Sequence, residues 1–64
     1  MRGFGKVVRD KLSEAGWLFL RHGKGDHDVW WLPGTGKKVT VPVTLLSRHT
    51  ANGILKDAGL PKLP

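Results

Sequence analysis

The sequence has no cysteine, so neither a disulfide nor a thiolate zinc site can form. That absence fits a reducing cytoplasm. Long apolar runs are missing as well. No stretch approaches the roughly 20 residues needed to cross a bilayer. The opening Met1-Arg2-Gly3-Phe4-Gly5-Lys6 lacks the apolar core of a secretory signal. The expectation is a cytoplasmic chain with no membrane contact. Acidic residues are also scarce. Five Asp and Glu stand against eleven Lys and Arg, a formal net charge of +6. Such an excess points to a polyanionic partner. The basic residues are scattered through the chain, not gathered on one amphipathic face, which favours nucleic acid over a membrane surface.

Length is the last scarcity. The 64 residues make a single domain, residues 1–64. A chain of this size buries only about 60% of the surface it exposes when unfolded. A deep substrate cavity has no room, so the expected ligand is a polymer gripped at the surface.

Apolar spacing organises what is present. Val8, Leu12 and Ala15 fall on one stripe of a 3.6-residue period, which predicts a helix over residues 6–15, and Phe4 extends the stripe one turn earlier. Gly16 followed by apolar Trp17 is a helix stop. Residues 17–22 read as a strand with Leu18 and Leu20 facing one way and Trp17 and Phe19 the other. Gly23-Lys24-Gly25 is a loop, and residues 28–32 form a second strand. Adjacent Trp30 and Trp31 must then face opposite ways, so at least one leaves the main core. Pro33-Gly34 suits the centre of a type II turn. Residues 37–43 alternate Val39, Val41 and Val43 with polar partners, and Pro42 argues for a sheet edge or strand end.

A closing helix is expected over residues 48–58, with Ser47 as N-cap and Ala51, Ile54, Leu55 and Ala58 as its apolar stripe. Gly59-Leu60 repeats the glycine-plus-apolar stop, and Pro61 prevents continuation. Gly53 inside this helix costs about 1 kcal/mol relative to Ala, for which close packing on the sheet is the expected reason. Residues 61–64 should fray. The order is helix, three strands, helix: an α+β fold with an antiparallel three-stranded sheet and both helices on one face. That is the layout of a double-stranded-RNA-binding-type α-β-β-β-α domain.

The candidate chemistry gathers where the glycine-rich loop meets the second strand. RNA can be cut by its own 2′-hydroxyl. An enzyme then supplies a base for the 2′ proton, an acid for the leaving 5′ oxygen, and donors that hold the phosphate. Imidazole suits either proton transfer near neutrality, and His27 is the candidate catalytic group. Gly23 and Gly25 let backbone approach a phosphate, and Lys24 adds a mobile charge. Asp26 and Asp28 flank the ring; they favour its charged form but also repel a phosphate.

Arg48 and His49 stand at the start of the last helix, whose free amides suit an anion. The candidate RNA- and phosphate-binding positions are therefore Lys24, Gly25, Asp26, Arg48 and His49. His22 ends the first strand and is a weaker candidate. The tryptophans serve the core first and base stacking second. His22, Asp26, His27 and Asp28 do not match a zinc spacing, and two carboxylates make a weak magnesium site, so no metal and no cofactor is expected. Ser13 and Ser47 show no arrangement for serine catalysis.

At these residues the chain resembles the HicA toxins, the mRNA-cleaving members of HicA–HicB toxin–antitoxin pairs. The likeness covers roughly residues 6–60 and lies in Leu12-Ser13-Glu14-Ala15-Gly16-Trp17, Gly25-Asp26-His27, Val39-Thr40-Val41-Pro42-Val43 and, most of all, Ser47-Arg48-His49-Thr50-Ala51-Asn52-Gly53-Ile54-Leu55-Lys56-Asp57-Ala58-Gly59-Leu60. The resemblance implies a double-stranded-RNA-binding-like fold, mRNA cleavage, a single key histidine that maps onto His27, and a HicB antitoxin that covers the active surface. The family usually reads Gly-Ser-His where this chain has Gly25-Asp26-His27. If that serine hydroxyl helps hold phosphate, Asp26 weakens the step.

The expectation is a toxin that acts as a metal-independent endoribonuclease on mRNA, with His27 as general acid or base. One rival is a non-catalytic RNA-binding module of the same fold; another is an interaction protein whose basic face serves an acidic partner. Both RNA readings predict salt-sensitive binding, roughly 50-fold weaker between 50 and 200 mM salt for about four phosphate contacts. Cleavage in EDTA separates them.

Overall fold

The computed structural model describes residues 3–64; Met1 and Arg2, part of the opening segment considered above, lie outside the described residues. The element order is α1 (Gly5–Glu14), β1 (Leu18–His22), β2 (His27–Leu32), β3 (Lys37–Pro42) and α2 (Arg48–Asp57). The strands form one antiparallel sheet in the order β1-β2-β3. This is the expected α+β, double-stranded-RNA-binding-like arrangement.

Both helices stop by the same device. Gly16 takes a φ of +95°, its N–H bonds to the Ser13 carbonyl, and the Trp17 N–H reaches back 2.9 Å to the Leu12 carbonyl. Gly59 does the same at φ +75°, with Leu60 N–H donating over 2.8 Å to Leu55. A glycine pays no Cβ penalty in this left-handed cap, and the apolar residue after it folds back onto the core. Trp17 is buried and Leu60 packs against the core. At its start, α2 is capped by the Ser47 hydroxyl, which accepts from the Thr50 N–H. The turn at Pro33-Gly34 forms as expected, with Gly34 at φ +89° and the Thr35 N–H on the Leu32 carbonyl.

Strand pairing sorts side chains between two faces. Phe19 pairs with Trp30 and Trp30 with Val39; Asp28 lies between His22 and Val41. These residues face the helices. The core is Val8, Leu12, Trp17, Trp30, Val39, Val41, Leu45, Ala51, Ile54 and Leu55, with Phe4 and Val7 packed against it. On the opposite face the rows are Leu18–Trp31–Lys38, Arg21–Val29–Thr40 and His27–Pro42. Trp30 is buried and Trp31 half-buried on that second face, as two adjacent strand residues must be. The Trp30 Nε1 is buried with no acceptor among the described residues. A chain of this length holds a total stability of about 3–10 kcal/mol, so truncating fully buried Leu12 or Leu55 to Ala, at about 2–5 kcal/mol, consumes much of it.

Several expectations are corrected. Ala15 is the exposed C-cap of α1 and not part of the buried stripe. Alternation along β1 fails because the register shifts between Phe19 and Arg21, leaving Leu20 as the extra residue of a β-bulge. The helices pack on each other and on β3, so Leu18, Phe19 and Leu20 stay 52%, 46% and 39% exposed. Strand β3 ends at Pro42, and Val43 is exposed beyond it. Gly53 is not closely packed, since a Cβ there would meet nothing within 4 Å. Residues 61–64 are not loose throughout: the Leu63 N–H donates to the Asn52 Oδ1 over 2.7 Å, and the Leu63 side chain packs against the core.

Candidate functional site

The β1–β2 hairpin sets the position of His27. Residues 23–26 close the hairpin, and the Gly23 N–H donates to the His27 carbonyl over 2.6 Å. Gly23 is tightly enclosed: a Cβ would stand 3.0 Å from the His27 carbonyl oxygen and 3.2 Å from Val29 Cγ2, so those neighbours would have to give by a few tenths of an ångström. Gly25 takes φ +66° in open space, a conformation that exposes loop backbone without strain only in glycine. A second tie comes from beyond β3, where the Val43 N–H donates to the Asp26 carbonyl over 2.6 Å. His27 is thus the first residue of β2, one position earlier than the expected strand, and it is held on both sides by backbone bonds. Its side chain is exposed, and among the described residues no hydrogen bond engages its ring.

Lys24, Gly25 and Asp26 are exposed beside it. Arg48 and His49, the first two residues of α2, are exposed as well. They share the hairpin's end of the sheet, because Pro42 pairs with His27 and only residues 43–47 separate β3 from α2. No hydrogen bond or ion pair among the described residues joins Arg48 or His49 to the loop. The Arg48 guanidinium instead lies over the Phe4 ring, 5.8 Å from its centroid, which steadies the start of α2 through a cation–π contact.

His22 carries an arrangement that the chain order alone does not reveal. Its Nδ1 lies 2.7 Å from Asp28 Oδ1. An ionised carboxylate only accepts, so Nδ1 bears the proton and Nε2 is left to solvent. The His22 side chain is 82% exposed while that of Asp28 is 14% exposed. Phe19 stacks edge-on against His22 at 5.2 Å between ring centroids and against Trp30 at 6.0 Å. The signal lay in the hairpin: closing a loop at residues 23–26 brings His22 opposite Asp28. Pleat alternation places this cluster on the helix side of the sheet and His27 on the other. The two imidazoles therefore do not face one another.

A groove of about 570 Å³ lies between α1 and residues 43–46, lined by Lys6, Arg9, Val43 and Leu46 among others, and includes none of the candidate residues. Among the described residues no three His, Asp or Glu side chains gather where they could hold a metal ion. No helix among them is long and apolar enough to cross a membrane. What the loop can do chemically is limited and specific. It offers one exposed imidazole on a fixed strand start, glycine amides in the loop before it, and an exposed lysine three residues earlier.

A family model described as "HicA toxin of bacterial toxin-antitoxin" matches residues 5–60. No curated protein and no solved structure matches the chain.

Proposed function

The chain belongs to the HicA toxin family and is the toxin of a toxin–antitoxin system, and from that premise we propose that it is a metal-independent endoribonuclease acting on mRNA, with His27 as its proton-transfer group. The observation that carries this reading is the placement of His27. It is exposed on a backbone-fixed strand start, next to a glycine-rich loop that carries Lys24, in a chain of net charge +6.

In the reaction the 2′ oxygen gives up its proton and bonds to phosphorus. The bond from phosphorus to the 5′ oxygen breaks, and that oxygen is protonated. His27 takes the first proton or supplies the second. Lys24 and the amide of Gly25 hold the non-bridging oxygens as charge builds there. Arg48, His49 and the free amides of the α2 start take a neighbouring phosphate at the same end of the sheet. Asp26 stands where the family usually has serine; its backbone carbonyl fixes the loop, while its carboxylate repels phosphate and slows the step. The antitoxin partner is a HicB-type protein that covers this surface.

The test is His27→Ala, assayed for RNA cleavage in EDTA and for growth arrest on expression. Loss of about 100- to 10,000-fold in cleavage is expected, with folding and RNA affinity retained. Undiminished cleavage by that variant defeats the assignment, and binding without any cleavage by the parent chain makes it an RNA-binding module. Co-expression with the adjacent reading frame should restore growth if that frame encodes the antitoxin.

A further inference from the structure

The sheet face turned away from the helices sorts charge. Its rows are Leu18–Trp31–Lys38, Arg21–Val29–Thr40 and His27–Pro42. No carboxylate stands on it, whereas Asp28, the sole acid within the strands, is turned to the helix side beside His22. Val29 is buried there and makes a firm floor. Around it stand the half-buried Trp31, the exposed Arg21, Lys38 and Thr40, and Leu18 at 52% exposure. Trp31 takes no part in the core cluster. His27 lies on this same face, four residues before Trp31 on β2. At about 3.3 Å per residue that separation is roughly 13 Å.

We infer that this helix-free face is the track for a single-stranded RNA segment, with Trp31 stacking one unpaired base and Arg21 and Lys38 holding the backbone on either side of it. The inference rests on the proposed ribonuclease reading and extends it, since it places the strand that feeds the His27 loop. Three features favour RNA over a protein on this face. Its charged groups are all cations, which complements a phosphate chain. The aromatic ring has Lys38 directly across on β3 and Arg21 one row along on β1, a pattern that grips backbone and base together. A base stacked at Trp31 also leaves the backbone running along β2 toward His27. The strand must be single, because a base inside a duplex has no free face for the ring.

The probe is a 2′-O-methyl oligoribonucleotide, which binds but lacks the attacking hydroxyl, tested on the full chain. Trp31→Ala should weaken binding by about 5- to 150-fold, and Trp31→Phe should recover part of that loss. An abasic version of the probe should bind the parent more weakly and lose its dependence on Trp31. Arg21→Gln and Lys38→Gln, both at exposed positions, should each lower the slope of log affinity against log salt by about 0.7. Phe19→Ala, on the helix side of the sheet, should leave affinity within about twofold.

Unchanged salt slopes in both charge variants, or an equal loss in Phe19→Ala and Trp31→Ala, overturn the inference. So does a Trp31→Ala chain that binds RNA normally but no longer binds its antitoxin, since the face then serves a protein. The two readings fail separately. If affinity depends on Trp31 while His27→Ala still cleaves, the track stands and the catalytic role falls. If His27→Ala is inactive and affinity ignores Trp31, the reverse holds.

Discussion

Two glycine-rich turns close the hairpins of this sheet, one at each end, and their compositions are close. Gly23-Lys24-Gly25-Asp26 joins β1 to β2, and Pro33-Gly34-Thr35-Gly36 joins β2 to β3 with Lys37 next to it. The second is self-contained. Its Thr35 hydroxyl donates to the Leu32 carbonyl at 3.0 Å and accepts from the Lys37 N–H at 3.1 Å. The first closes on itself through Gly23 and His27 and is also tied outward, its Asp26 carbonyl accepting from the Val43 N–H beyond β3. It stands at the end of the sheet where α2 begins, with an imidazole on each strand flank. Composition therefore does not distinguish a turn that merely reverses the chain from one that is tied to a neighbouring segment. The partners of its backbone do.

Three matched pairs of substitutions and one control sharpen or break that contrast. The largest effect belongs to His27→Ala, with about a 100- to 10,000-fold loss of cleavage. Its counterpart Thr35→Ala should cost about 1 kcal/mol of stability and leave cleavage within twofold. Next come the glycines. Gly23→Ala forces a shift at the His27 carbonyl, and a misplaced imidazole should lower the cleavage rate about tenfold or more. Gly34→Ala, at φ +89°, should cost about 1–2 kcal/mol and lower the melting temperature by at least about 4 °C, with cleavage well below that temperature intact. An equal loss of activity from both would erase the distinction between the turns.

Charge gives a smaller effect. Lys24→Gln should lower the salt slope of RNA binding by about 0.7, while Lys37→Gln should leave it unchanged. The last substitution lies outside both turns and asks whether stability alone moves activity. Gly53→Ala, where a Cβ meets open space, should raise stability by about 1 kcal/mol and leave the cleavage rate where it was. A melting curve and a rate measured on the same preparation decide it.

Much of the fold was readable because particular residues have narrow uses. Gly16 and Gly59, each followed by an apolar residue, marked both helix ends, and Pro33-Gly34 marked the turn. Strand β3 announced its inward face through Val39 and Val41. Strand β1 did not, because Leu18, Phe19 and Leu20 are all apolar and give no alternation from which to read a bulge. Ala15 matched the helical stripe in spacing, yet the cap had already turned the chain away. The tail could not be read from its own residues, since its anchor is the Asn52 side chain on α2.

The candidate site divides in the same way. Local signals placed His27 beside Lys24 and Gly25, and these are chain neighbours whatever the fold. The pairing of His22 with Asp28 depends on hairpin register, and the separation of the two imidazoles onto opposite faces depends on pleat. Neither is visible until the loop length is known. The position of Arg48 over Phe4 is a contact between chain segments far apart in sequence, and no spacing announces it.

Leu20 bears on how the chain behaves when crowded. An open strand edge with exposed apolar side chains is an invitation to cross-chain ladders and fibre growth. The extra residue in β1 throws the outward donors and acceptors out of step partway along and coils the edge more tightly. A second flat strand can then match only part of it. The greasiest margin of the molecule is thereby denied to copies of itself as a template, while its side chains remain free to be covered by something of a different shape.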